Sequence, residues 1–482
     1  MKSYRGFDDL FLLTGQETSN LFFRFVDISY LCQKIFRDMK KGILILAAMM
    51  SLTVYAQEKW TLKDCIDYAM QNSITLKQAK LEKQTATETR KQSQSALLPS
   101  LSASTNQSFG YRPWQSTGMA TVTNGTVNNQ VKKTYYNGTY GINASWTVWN
   151  GNQNHNQVKI NQLAEEQAEL TTQQSANTIQ ERIAELYVQI LYMKEAIEVN
   201  KQSLETSKKQ EERGREMVEV GKMSKADLAQ LTAQRATGEY DLVEAQTNLA
   251  NYQLELKQLL EITNDQPFDI ASPAASDQQA LAEIPSMIGV YEQALAQRPE
   301  IKNAELAKKS SDIQLKVAKA GHLPTISMTG GLGTSTSSNN SNEWGSQMKT
   351  NFDASAGIGV SIPIFDQRKT KTAINKARIN QEKALLTMQQ RQKELYSSIE
   401  ALWLDATSNQ QKFRAATATV ESEQQSYDLL SEQFNLGLKN IVELMTGKDK
   451  LLKAQQSMLQ SKYTTILNQQ LLRFYQGETM NI

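Results

Sequence analysis

Gly141-Ile142-Asn143-Ala144-Ser145-Trp146-Thr147-Val148-Trp149-Asn150 returns 216 residues later as Gly357-Ile358-Gly359-Val360-Ser361-Ile362-Pro363-Ile364-Phe365-Asp366. In the first copy Ile142, Ala144, Trp146 and Val148 alternate with Asn143, Ser145, Thr147 and Trp149. In the second, Ile358, Val360, Ile362 and Ile364 alternate with Gly359, Ser361, Pro363 and Phe365. A period of two with one apolar side reads as a strand with one buried or lipid-facing side. Asn150 and Asp366 then read as N-caps of helices, because residues 151–220 and 367–436 hold no proline and almost no glycine.

The duplication extends outward from these strands. Ala69-Met70-Gln71-Asn72-Ser73-Ile74 aligns with Ala294-Leu295-Ala296-Gln297-Arg298-Pro299, and Ala96-Leu97-Leu98-Pro99-Ser100-Leu101 with Gly321-His322-Leu323-Pro324-Thr325-Ile326. Beyond the strands, Val218-Glu219-Val220-Gly221 with Ser224, Asp227 and Leu228 matches Phe434-Asn435-Leu436-Gly437 with Asn440, Glu443 and Leu444. Each copy reads as helix, strand pair, very long helix, turn and returning helix. The expected order is a first repeat over 57–285 and a second over 286–482. The first has a β-hairpin at about 99–150, a helical hairpin at about 151–262 and a linker at 263–285. The second has a β-hairpin at about 324–366 and a helical hairpin at about 367–477.

The long helices, about 70 residues each, form rods of roughly 105 Å. Ile179, Ile183, Leu186, Ile190, Met193, Ile197, Asn200 and Leu204 follow a 4-3 spacing, as do Leu395, Ile399, Leu402, Ala406, Asn409, Phe413, Ala416 and Val420. That spacing predicts coiled-coil packing. The returning helix repeats it at Leu242, Ala245, Leu249, Tyr252, Leu256 and Leu259. Stretches rich in Gly, Ser, Thr and Asn, 106–135 and 330–351, read as exposed loops between the strands. The fold class is therefore α+β: two tandem repeats, a long coiled-coil helical barrel and four β-strands per protomer. Four strands cannot enclose a channel, and even eight leave an interior filled by side chains. A channel needs at least three chains and twelve strands.

Composition narrows the function. Among 482 residues, 52 Lys and Arg face 50 Asp and Glu, which argues against a nucleic-acid binder. Two cysteines, Cys32 and Cys65, and two separated histidines, His155 and His322, supply neither a disulfide framework nor a metal or nucleophilic site. We therefore expect no enzyme, no cofactor and no metal. A mean hydropathy of -0.51 excludes a bundle of transmembrane helices. Met39-Lys40-Lys41 followed by the apolar run Gly42–Ala56 reads as a secretory signal cleaved before Gln57, with 1–38 as an upstream extension. In an exported chain the amphipathic strands also fit the lipid face of a transmembrane barrel. The rival reading is an exported coiled-coil scaffold or adhesin, which explains the heptads but not the duplicated strands.

These features together resemble the TolC family of outer-membrane efflux and secretion channels. The resemblance rests on the duplicated Leu-Pro-Ser/Thr-Leu/Ile strand entry, the Trp/Phe-Asn/Asp exit into a long helix, and the Gly-x-x-Ser/Asn-x-x-Asp/Glu-Leu turns. It implies a homotrimer with a twelve-stranded barrel in the outer membrane of a Gram-negative bacterium and a helical tunnel through the periplasm. The tunnel would be engaged by a periplasmic adaptor and an inner-membrane pump. Ile142, Trp146, Val148, Ile358, Ile362 and Ile364 would face outer-membrane lipid. The turns carrying Gly221, Ser224, Gly437 and Asn440 would form the periplasmic tip. There the resemblance implies a latch between Asp227 and Lys439, with Phe434 in place of a tyrosine. It also implies an acidic ring at Glu443, whose second ring position, Thr446, is uncharged.

Overall fold

The computed structural model describes residues 59–114, 118–122, 125–129, 132–263, 268–272 and 277–481. The expected signal segment and its cleavage site lie outside the described residues. Residues Trp60–Ile482 form one compact unit.

In chain order the first copy contains α1 (Leu62–Asn72), α2 (Ile74–Ser95), β1 (Ser100–Tyr111), β2 (Gly118–Val122), β3 (Gly125–Asn129), β4 (Thr134–Trp149), α3 (Gln153–Glu219) and α4 (Lys225–Leu259). A single turn, α5 (Asp277–Ala280), follows. The second copy contains α6 (Met287–Gln297), α7 (Pro299–Ala320), β5 (Thr325–Ser337), α8 (Trp344–Thr350), β6 (Asp353–Ser361), α9 (Lys369–Asn435) and α10 (Ile441–Tyr475). Corresponding helices have equal lengths of 11, 22, 67 and 35 residues. The 67-residue helices are therefore about 100 Å long, and the 22- and 35-residue helices, at about 33 and 53 Å, lie along their two halves.

Local sequence sets the helix starts. Thr61 and Asp64 close a capping box on α1, with Asp64 N–H donating to Thr61 Oγ1 at 3.2 Å and Thr61 N–H to Asp64 Oδ2 at 3.0 Å. The long helices begin later than caps at Asn150 and Asp366 would give, at Gln153 and Lys369. Two consecutive left-handed residues intervene, Gly151-Asn152 and Gln367-Arg368. The expected capping groups still reach the first turn: Asn154 N–H donates to Asn150 Oδ1 at 3.3 Å, and Thr370 N–H to Asp366 Oδ2 at 2.7 Å.

The 4-3 positions are where the rods pack. Ile183, Ile190, Ile399 and Ala406 are fully buried, and Leu186, Leu204, Leu395 and Phe413 nearly so. α3 is flanked by α2 and α7 on one half and by α4 and α10 on the other, while α9 packs on α7 and α10. Around the middle of α3 a knot of loop and chain-end segments closes. Trp60 bridges Ile270, Tyr187 Oη donates to Ala271 O at 2.7 Å, and Lys194 Nζ donates to Asp269 Oδ1 at 2.6 Å. Cys65 is buried in this core, and burial pushes its thiol pKa up to about 12, so it acts as a small hydrophobe.

The four long strands form one antiparallel sheet in the order β1-β4-β5-β6, and β2 and β3 form a separate hairpin. The strands run further into the Gly/Ser/Thr/Asn-rich stretches than expected: β1 reaches Tyr111, β4 starts at Thr134 and β5 reaches Ser337. Low hydrophobicity made these segments read as loops. A sheet with one face turned to water accommodates them.

Candidate functional site: strand wall and helical tip

Register sorts the side chains of the sheet. Ala103 pairs with Ile142 and Ile142 with Leu332; Trp146 pairs with Met328 and Met328 with Ile358. Directly opposed residues share a face. Leu101, Phe109, Ile142, Trp146, Met328, Leu332, Ile358 and Val360 therefore lie on one side of the sheet. The other side carries Ser100, Ser102, Asn143, Ser145, Gly331, Ser355, Gly359 and Ser361. The apolar side is open within one protomer, with Leu101 at 75%, Phe109 at 79% and Ile358 at 70% exposure. Trp146 keeps its indole donor satisfied through Leu97 O, 2.8 Å away. At the opposite end Phe109 stacks on Tyr136 (4.9 Å) and Tyr140 meets Trp344 edge-on (6.2 Å).

Three of the six expected lipid-facing residues need correction or refinement. The register shifts between Thr147 and Trp149, which makes Val148 the extra residue of a bulge. Trp149, expected on the polar side, thereby pairs with Ile326 on the apolar side. β6 ends at Ser361, so Ile362 and Ile364 belong to no strand; they flank Pro363, which has no N–H to donate. Both are nonetheless exposed, at 62% and 96%.

At the far end of the rods are two turns of the same design. Gly221 (φ 71°) and Gly437 (φ 76°) terminate α3 and α9, with Lys222 N–H returning to Met217 O and Leu438 N–H to Gln433 O. Ser224 caps α4 by accepting from Asp227 N–H at 3.1 Å. Asn440 caps α10 in a full capping box with Glu443. Within the protomer Asp227 and Lys439 are each engaged elsewhere. Asp227 Oδ2 accepts from Ser224 Oγ at 2.7 Å, and Lys439 Nζ pairs with Glu443 Oε1 at 2.5 Å. Phe434 is buried against Ile441 and Leu444 rather than turned toward either partner of the expected latch. The Lys439 ammonium, and then the Asn440 N–H, hold the Glu443 carboxyl below the usual range, so it is ionised at neutral pH. Among the described residues no helix is long and apolar enough to cross a membrane and no His/Cys/Asp/Glu cluster could hold a metal.

A duplicated chain whose strands and rods follow this order has known counterparts. The family model described as outer membrane efflux protein matches residues 65–261 and 290–478. The chain belongs to the outer membrane efflux protein family. Within it, the chain is 22% identical to the outer membrane efflux protein BepC of Brucella suis, over 74% of this chain and 75% of that protein. It is 24% identical to the outer membrane protein TolC of Escherichia coli, over 52% of this chain and 51% of that protein. In fold it is similar to the CmeC outer membrane channel of Campylobacter jejuni (TM-score 0.70, 18% identity, 87% of each chain). It is likewise similar to the outer membrane protein VceC of Vibrio cholerae (TM-score 0.70, 16% identity, 87% of this chain and 97% of that one). Membership of this efflux family makes it an outer-membrane channel protein.

The turns marked in the sequence join each long helix to its returning helix, and Ile142, Trp146 and Ile358 share one side of the sheet. Their roles at a tip and toward lipid are proposals. Residue-level reasoning from sequence missed Lys448, an almost wholly buried lysine two turns beyond the Asn440 cap. Its neighbours in sequence, Gly447 and Asp449, carry no pattern that distinguishes it from the solvated lysines of the rods.

Proposed function

We propose that this chain is the outer-membrane conduit of a tripartite efflux or type I secretion system. The observation that carries the reading is the sheet itself: among the described residues its edge strands β1 and β6 have no outer partner, and both are exposed almost throughout. Open edges joined to an apolar face demand further copies in lipid. β1 and β6 run in opposite directions, so β6 of one protomer pairs antiparallel with β1 of the next. Three copies close twelve strands, with the Ser/Gly/Asn face lining the lumen.

The rods continue that barrel as a periplasmic tunnel. Conduction is passive, driven by an inner-membrane pump through a periplasmic adaptor, and carries small molecules or proteins outward. At the tip, Glu443 from three copies forms a carboxylate ring that favours cations. The latch between Asp227 and Lys439 forms only when Lys439 leaves Glu443. A lysine there lacks a bidentate fork and makes a weak lock.

The test is single-channel recording of the purified protein in planar bilayers. We expect trimers with discrete cation-selective conductance and block by multivalent cations. Glu443→Gln should reduce both selectivity and block. Absence of conductance from correctly inserted trimers refutes the channel reading, and unchanged selectivity in Glu443→Gln refutes the ring.

A further inference from the structure

Lys448 sits where the two helical hairpins of the protomer meet. It is 5% exposed on α10 and reaches across to α3. There its Nζ donates to Ser203 O at 2.8 Å and to Ser207 Oγ. Both acceptors are neutral. Tyr427 on α9 lines the same seam, and its hydroxyl accepts from Gln210 Nε2 at 2.8 Å. The carboxylates nearby are Asp241 on α4 and Asp449 on α10, and neither makes an ion pair with Lys448 among the described residues. Asp449 is instead engaged by Gln234 Nε2 at 3.1 Å. A half-open cleft of about 220 Å³, bordered by Gln202, Thr206, Gln424, Tyr427 and Lys448, runs along the same seam.

A desolvated ammonium held by neutral oxygens is less favourable than one in water. A packed seam around Lys448 is therefore under stress whenever the amine is charged, and parting the hairpins relieves it. We propose that Lys448 is a protonation-dependent spring between the two hairpins: charged, it favours their separation; neutral, it lets them close. The role of that separation in opening the tip rests on the channel reading above.

The direction of the pH effect follows from linkage. Burial lowers the Lys448 pKa from 10.5 to about 8 in the packed seam, an effect that Asp449 and Asp241 only partly oppose. A parted, hydrated seam returns it toward the ordinary value. Between those limits the packed state holds fewer protons, so rising pH favours packing; below about 8 the push toward separation is at its full extent. Each unit of difference is worth tenfold in the equilibrium, which caps the effect at about 300-fold.

Spin labels at Lys222 and Leu438, both exposed on the tip turns, report hairpin separation without relying on conduction. In the full-length trimer we expect the ratio of closed to separated hairpins to rise tenfold or more between pH 7 and pH 10. Lys448→Met, similar in volume and uncharged, should be closed across that range. Lys448→Arg, which stays charged, should remain separated across it. A pH-independent distance in the wild type overturns the proposal, as does a wider separation in Lys448→Met, which would make the residue a tether. Single-channel conductance is recorded on the same samples. Distances that follow this pattern while conductance does not uphold the spring and remove only the tip as the gate.

Discussion

Replacing Ile358 by Arg tests the outward face of the sheet most directly. Ile358 is 70% exposed within the protomer, pairs with Met328, and shares its face with Trp146. β6 has 9 residues. At about 3.4 Å per residue and a tilt near 40°, it spans about 23 Å of height, close to the apolar band of such barrels. Ile358 lies three residues from Ser361 and five from Asp353, near the midplane of that band. Arg at that depth costs about 2–4 kcal/mol per protomer. This corresponds to about 30- to 900-fold in the folding equilibrium. Ser355→Arg is the matched control: three residues away on the same strand, it faces the polar side opposite Gly331 and should cost less than about 1 kcal/mol. Urea titration of the protein folded into lipid vesicles measures both, and the yield of trimer gives an independent reading. Equal costs for the two variants, or a greater cost for Ser355→Arg, would refute the assignment of faces and with it the barrel.

The tip supplies three further expectations. Gly437→Ala should destabilise by about 1 kcal/mol in thermal melting through backbone strain alone, since φ is 76° and no atom beyond the chain neighbours lies within 4 Å of the added methyl; Gly437→Asn should cost less. Asp227→Ala and Lys439→Ala should each raise conductance if the latch closes the tip, and unchanged conductance in both leaves it without that lock. Because the Glu443 pKa is depressed, the stabilisation by its capping contacts is present above its ordinary value of 4.5 and is lost as pH falls through the lower folded value. Melting of wild type against Glu443→Gln should therefore differ at pH 7 and converge in acid.

The fold was legible where a residue's role depends on near neighbours in the chain. The 4-3 spacing over 179–204 marks a packing stripe because a helix places i, i+3 and i+4 on one side whatever lies beyond. Gly221 and Gly437 mark turns because a left-handed residue ends a helix most easily without a Cβ. Alternation failed at Trp149 because a bulge inserts one residue, and nothing local to Thr147-Val148-Trp149 announces it. It failed again at Ile362 and Ile364, where Pro363 ends the ladder although the apolar period continues. The Gly- and Ser-rich strand ends were unreadable as strands because only the neighbouring strands reveal that their face meets water.

By itself the sequence determined that the chain is duplicated, that each copy joins amphipathic strands to a rod and a returning helix, and that the usual raw material for catalysis is scarce. These follow from periodicity and composition, which survive any arrangement of the parts. Tertiary structure decided the sheet order β1-β4-β5-β6, the face on which Trp149 lies and the burial of Lys448. The physical reason is common to all three. Register and desolvation depend on which segments meet across long stretches of chain, as Lys448 and Ser203 do across 245 positions. Such encounters leave no local period in the sequence to read.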